Sequence, residues 1–198
     1  MLIQRRQRGF NLVEAIITLA VLGILVAAAV PSVTEWMRST AVRNLAETTH
    51  AGLQKARMEA MRRNQIVTFW MVSATSAPTD SCVLSATSAA WVVSLDDPTS
   101  KCGTAPSTTA EPRIVEVYGP GPGVAGVTVS GLDEDAAAAS SVSFNGFGQA
   151  VRTGKPLRSI DISHTNASAR RLRLQIASGG GIRMCDRDVV SPDPRACN

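Results

Sequence analysis

The run from Phe10 to Val30, "FNLVEAIITLAVLGILVAAAV", constrains this chain more than any other feature. As a helix it spans about 31 Å at roughly 1.5 Å per residue, enough to cross the hydrocarbon core of a bilayer. Arg5, Arg6 and Arg8 precede it and should remain on the cytoplasmic side. A secretory signal has a shorter apolar stretch followed by a small-residue cleavage site. "AAAVPS" around Pro31 has that look, but it comes after a full-length span. One charge interrupts the run. Glu14 would cost roughly 2.5–3.5 kcal/mol near the centre of a membrane and calls for a partner. No cation follows it until Arg38. If the chain were cut after Gly9, the new α-amine of Phe10 would be a cation at the apolar end, within reach of a carboxylate on a neighbouring copy.

Charge is distributed unevenly over the 198 residues. Residues 64–150 hold two basic and eight acidic residues, and residues 151–198 hold nine basic and four acidic. A basic C-terminal part can mark an anionic partner or a solvated face paired with the acidic half. Four cysteines, Cys82, Cys102, Cys185 and Cys197, form no CxxC and read as disulfides of an oxidising compartment. Three pairings are open. Cys82–Cys102 with Cys185–Cys197 closes two short loops. A zinc site lacks ligand spacing, and His50 and His164 lie far from the cysteines in sequence.

Pro31 removes one helical hydrogen bond and is expected to bend or loosen the helix. From Ser32 to about Arg63, apolar Val33, Trp36, Met37, Val42, Leu45, Leu53, Ala56, Ala60 and Met61 recur near helical spacing, with charged residues, Glu59 among them, on the other side. After Asn64 the pattern changes to short β-type runs at 66–72, 91–95, 113–118, 127–130, 141–144, 159–163, 172–177 and 182–185. Gly, Pro, Ser, Asp and Asn fill the segments between, including the loops 118–126 and 132–141. One long helix against an antiparallel sheet is an α+β arrangement.

No catalytic constellation is present: there is no GxSxG, HExxH or CxxC, so an enzyme is not expected, and no cofactor is implied. "GQAVRTGKP" departs from a phosphate loop in spacing and at Pro156, and reads as a hairpin.

"RGFNLVEAIITLAVLGILVAAAVP" resembles the class III signal of type IV pilins and pseudopilins. The resemblance implies cleavage by a prepilin peptidase between Gly9 and Phe10, N-methylation of Phe10, and a role for Glu14 in setting subunit register. "AWVVSLDD", "VSFNGFGQAVRTG" and the final "RRLRLQIASGGGIRMCDRD...DPRAC" resemble the GspH/FimT family, which includes minor pilins of type IV pili and minor pseudopilins of type II secretion systems. It implies a pilin-like fold and three segments: a cleaved leader at 1–9, a transmembrane and filament-core helix at 10–34, and a periplasmic head at 35–198. The expected function is a minor type IV pilin acting in pilus assembly or priming at the filament tip. The expected partners are the peptidase, other minor pilins, the major pilin and inner-membrane lipid, with the chain in the inner membrane before assembly and in a filament after it. Two alternatives are a GspH-type pseudopilin of a type II secretion system and a DNA-binding minor pilin. For DNA, the family's Gly-Arg-x-Arg motif falls on Gly180, Gly181, Ile182 and Arg183, so Arg183 is retained while Gly181 replaces the other arginine. Arg171, Arg173 and Arg187 complete the candidate phosphate contacts, with Arg170 and Arg195 nearby.

Overall fold

The computed structural model describes residues 11–166 and 168–197. A single α-helix, α1 (Leu12–Arg63), is followed by eight strands: β1 (Val67–Val72), β2 (Ala90–Ser94), β3 (Ile114–Tyr118), β4 (Val127–Leu132), β5 (Ser141–Phe144), β6 (Ser159–His164), β7 (Leu172–Ile176) and β8 (Ile182–Asp186). Each falls on one of the eight expected β-type runs, with ends shifted by a residue or two. The loop expected at 118–126 contains a short 3-10 turn, Pro122–Val124.

The chain divides into two compact units, one ending at Met37 and the other beginning at Arg38. In the first, Leu12 to Val33 are exposed on every side of the helix. In the second, α1 presents a buried stripe of Val42, Leu45, Ala46, Thr49, Gly52, Leu53, Ala56 and Ala60, the three-and-four spacing of one helix face. The expected stripe is therefore corrected at both ends. Val33, Trp36, Met37 and Met61 are exposed: helical spacing marks a face as apolar without supplying anything to cover it. Glu59, expected on the outer side, is buried. It is tolerated because Arg62 and Arg63 both donate to its carboxylate, at 2.7 Å each.

The strands form two four-stranded sheets in place of one, with orders β3-β2-β1-β5 and β4-β6-β7-β8. Every pairing is antiparallel. The division has a physical cause. β4 turns away at Asp133, whose carboxylate accepts the N–H groups of Asp135 and Ala137 at 2.9 and 2.8 Å. The chain then enters β5 against β1, from Val67↔Phe144 to Trp70↔Ser141.

One core serves both sheets and the helix. Val67, Phe69, Met71 and Val93 of the first sheet meet Ile160, Ile162, Leu172, Leu174 and Ile176 of the second around the α1 stripe. In β7 the alternation is strict, with Leu172, Leu174 and Ile176 buried and Arg173 and Gln175 facing out. A smaller cluster of Val72, Ala90, Val92, Ile114, Cys82 and Cys102 covers the other face of the first sheet. That is why all five residues of β2 are buried.

α1 stops where Asn64 takes a left-handed backbone, φ 49°, and the N–H of Gln65 returns to the Ala60 carbonyl at 3.2 Å. The tightest approach in the core is at Gly52. A Cβ there would lie 2.7 Å from the Trp91 ring, which stacks on Tyr118 at 5.4 Å between centroids. Gly52→Val is therefore expected to destabilise the head by about 1–3 kcal/mol through overpacking. Ala51→Val, at the exposed neighbouring position, should stay within about 1 kcal/mol. Urea unfolding of the two variants checks the difference.

Candidate functional site

The sequence singles out two regions: the start of α1 and the C-terminal arginines. At the first, Asn11 begins the helix. Its side-chain oxygen accepts the Val13 N–H at 3.3 Å, and its carbonyl accepts the Ala15 N–H at 3.1 Å. Glu14 sits in the first turn, where the positive end of the helix dipole favours a carboxylate. It is exposed, on a helix surface that is otherwise apolar through Val33 apart from Thr18, Gly23 and Ser32. α1 is long and apolar enough there to cross a membrane. Gly9 and Phe10 lie outside the described residues. The α-helix continues through Pro31. The hydroxyls of Ser32 and Thr34 donate to the carbonyls of Ala29 and Pro31 at 2.8 and 2.9 Å, holding the turn around it.

The cysteines pair as Cys82–Cys102 and Cys185–Cys197. The first ties the connection between β1 and β2 to that between β2 and β3. The second fastens the C-terminal tail over β8, with the Asp186 N–H donating to the Arg195 carbonyl at 2.7 Å.

The candidate phosphate-binding arginines are already engaged. Arg173 donates to Asp161 at 2.8 Å, and Arg187 donates to the same carboxylate at 2.8 Å. Arg171 donates to Asp188 at 2.6 Å. Arg170 faces Asp186 at 3.5 Å, and Arg195 pairs with Asp193 at 2.8 Å. Among the described residues, Arg183 has no carboxylate partner. Its guanidinium donates to the carbonyls of Pro194 and Ala196 at 2.8 Å each, and so pins the disulfide-closed tail. Five of the nine basic residues in 151–198, namely Arg170, Arg171, Arg173, Arg187 and Arg195, thus pair with that stretch's own four aspartates, Asp161, Asp186, Asp188 and Asp193. Only Lys155, which pairs with Asp135 at 3.2 Å, reaches the acidic stretch among the described ion pairs.

Gly180, where the DNA motif would begin, has a packing role. Its φ is 81°, and a Cβ there would strike the Gly148 carbonyl. The turn after β7 and the turn after β5 are in contact at this point. They are tied by the Ala150 N–H, which donates to the Ser178 carbonyl at 3.1 Å, and Arg57 of α1 donates to the Gly148 carbonyl at 3.0 Å. "GQAVRTGKP" begins in a turn: Gly148 and Gln149 end the reversal at 145–149, which closes an antiparallel bridge between Phe144 and Ala150. Among the described residues, no group of His, Cys, Asp or Glu is placed to hold a metal ion.

The electrostatics agree with these pairings. The hydrogen bond that Arg173 donates to Asp161 raises Arg173 above its ordinary value, and the one that Arg171 donates to Asp188 does the same for Arg171. Burial pushes Asp188 up, but the Arg171 hydrogen bonds bring it below the usual carboxylate range. Arg195 holds Asp193 down to about 2. Asp161, which serves two arginines, was not singled out by its sequence context. The signal available was the alternation of "SIDIS", which places Asp161 on the outer face opposite Arg173.

Two family models match the chain. Residues 45–180 match the family of the type II transport protein GspH, and residues 4–30 match the prokaryotic N-terminal methylation motif. No curated protein matches. Among solved structures, the type IV minor pilin FimU of Pseudomonas aeruginosa is similar in two crystal forms. One is 14% identical with a TM-score of 0.46, covering 72% of this chain and 87% of that one. The other is 16% identical with a TM-score of 0.43, covering 72% and 90%.

A pH dependence follows for the tail. Asp188 and Asp193 have depressed folded values, so their contribution is complete above the ordinary carboxylate value of 3.8 and is lost as pH falls through those folded values, about 2 for Asp193. Hydrogen exchange at the Asp186 and Ala196 amides should, after correction for intrinsic rates, stay constant from about pH 5 to 8 and speed up below about pH 4. Protection that persists at the lowest pH would show that these ion pairs do not hold the tail.

Proposed function

The chain belongs to the GspH family of pseudopilins and minor pilins, and on that premise we propose that it is a minor type IV pilin that joins the priming or tip complex of a filament. Prepilin peptidase cuts between Gly9 and Phe10, and Phe10 is methylated on its new amine. The subunit waits in the inner membrane, spanning it once with its head in the periplasm, and then enters the filament beside other minor pilins and the major pilin. The observation that carries this reading is Glu14. It is a carboxylate on an exposed, membrane-length apolar helix, and such a charge is tolerable where a neighbouring N-terminus neutralises it. The apolar surface of Leu12–Val33 would pack in lipid before assembly and against other subunit helices afterwards.

The DNA-receptor alternative has less support, because Arg171, Arg173, Arg183 and Arg187 all have internal partners. Phosphate would have to displace an aspartate or a backbone carbonyl at each. Residues 35–198 titrated with duplex DNA at about 50 mM salt, where phosphate contacts are strong, are expected to show no binding. Salt-sensitive binding there would revive it.

The Glu14→Ala variant tests the principal reading. Membrane insertion and removal of the leader should be unchanged, since the apolar span is intact. Incorporation into sheared filaments should fall sharply. Incorporation at the parental level would refute the role given to Glu14. The mass of the N-terminal peptide from the membrane fraction checks processing: it should begin at Phe10 and carry one added methyl group.

A further inference from the structure

The connection between β1 and β2, residues 73–89, reads "SATSAPTDSCVLSATSA". The pentapeptide Ser-Ala-Thr-Ser-Ala occurs twice in it, twelve residues apart. The two copies run past each other in space. An antiparallel bridge joins Val72 to Leu84, and the Ser73 N–H donates to the Val83 carbonyl at 2.7 Å. Across the pair, Ser88 Oγ donates to the Ala74 carbonyl at 3.4 Å. Together they line a surface cleft of about 630 Å³ whose walls are serine, threonine and alanine.

This surface is held in place. Cys82 ties it to Cys102, and the backbone at Ser76–Ala77 rests against Gly119 so closely that no Cβ fits there. Several of its hydroxyls are spent internally: Ser73 accepts the Val83 N–H at 3.0 Å, and Thr79 bonds Ser81 at 2.9 Å. Thr75 and Ser76 differ. Both are exposed, and neither hydroxyl has a hydrogen-bond partner among the described residues. A hydroxyl that closes a turn or caps a helix has a structural purpose; these two are presented outward without one.

We propose that Thr75 and Ser76 are acceptors for O-linked glycosylation. Serine and threonine enrichment with proline, here Pro78 next to the first copy, is the composition of O-glycosylated segments. A sugar is bulky and solubilising and needs a surface site, which the open cleft supplies. Charge selects sugar over phosphate. Asp80 is the one ionisable side chain in 73–89, and the stretch 64–150 holds eight acidic and two basic residues. An added phosphate would meet like charge with no arginine cluster to receive it. A neutral sugar pays no such cost.

The transfer balances with a glycosyl diphosphate donor and an external transferase. The hydroxyl oxygen of Thr75 or Ser76 attacks the anomeric carbon. The bond from that carbon to the diphosphate oxygen breaks, its electron pair leaves with the diphosphate, and the hydroxyl proton passes to a base of the transferase. The modification is independent of the filament role proposed above.

Intact mass of the full chain, purified from membranes of the cells that make it naturally, tests the proposal. The expected result is one or more hexose or N-acetylhexosamine increments above the mass of the processed, disulfide-bonded chain. Electron-transfer fragmentation should place them on Thr75 or Ser76. The double variant Thr75→Ala/Ser76→Ala should lose every increment while retaining both disulfides, since neither side chain is buried. An unmodified mass, phosphate increments, or sugars mapped outside Thr75 and Ser76 would overturn it. None of these outcomes touches the pilin reading, which the Glu14→Ala variant addresses separately.

Discussion

The head depends on the α1 stripe from Val42 to Ala60. Neither sheet can bury its apolar face without that stripe. Phe69 and Met71 approach from one sheet, and Ile160, Leu172 and Leu174 from the other, and the helix fills the space where the faces converge. The stripe is made of residues of graded size, from Gly52 to Leu45 and Leu53. Gly52 lets the Trp91 indole lie directly against the helix backbone, and Trp91 in turn packs on Phe69 and Tyr118. Large-ring burial of this kind carries much of the core energy in a chain with only 4% aromatic residues.

Around that core, charge is handled locally. The basic C-terminal stretch reads in one dimension as a surface waiting for an anion. In three dimensions five of its arginines face aspartates of the same stretch, and Arg183 faces backbone carbonyls of the tail. Isolated exposed pairs of this kind contribute about 0–1 kcal/mol each, so their weight is in orientation rather than stability. Arg173 and Arg187 converge on Asp161, and Arg183 holds the Pro194 and Ala196 carbonyls, which fixes the tail across β8.

Much of this was legible in the sequence because the periodicities are clean. Alternation in "LRLQI" and "SIDIS" marks buried and outward residues directly, and the shift from helical to β spacing after Arg63 is abrupt. The two-sheet division was not legible, because it depends on a turn at Asp133 whose hydrogen bonds lie among residues that read only as a polar loop. The burial of Glu59 was hidden for a similar reason: a carboxylate in a charged helical turn looks solvated until Arg62 and Arg63 fold over it. The stripe was overextended at Val33, Trp36 and Met37 because helical spacing reports that a face is apolar, not what covers it. The engagement of the arginines was equally invisible, since their partners are brought alongside by strand register or by the returning tail.

The contact of Gly52 with Trp91 has a mechanical consequence. α1 is one unbroken helix, so tension applied to its N-terminal half reaches the head along the helix axis, as shear between the stripe and the sheets. Slippage by one turn, 5.4 Å, is the smallest step that would restore the packing of ridges and grooves. That step would replace Gly52 beneath the indole with Lys55 or Ala56, and the Cβ of either would collide with the ring. The missing side chain therefore acts as a register pin against axial load, allowing the helix one seating in the head and opposing displacement in either direction.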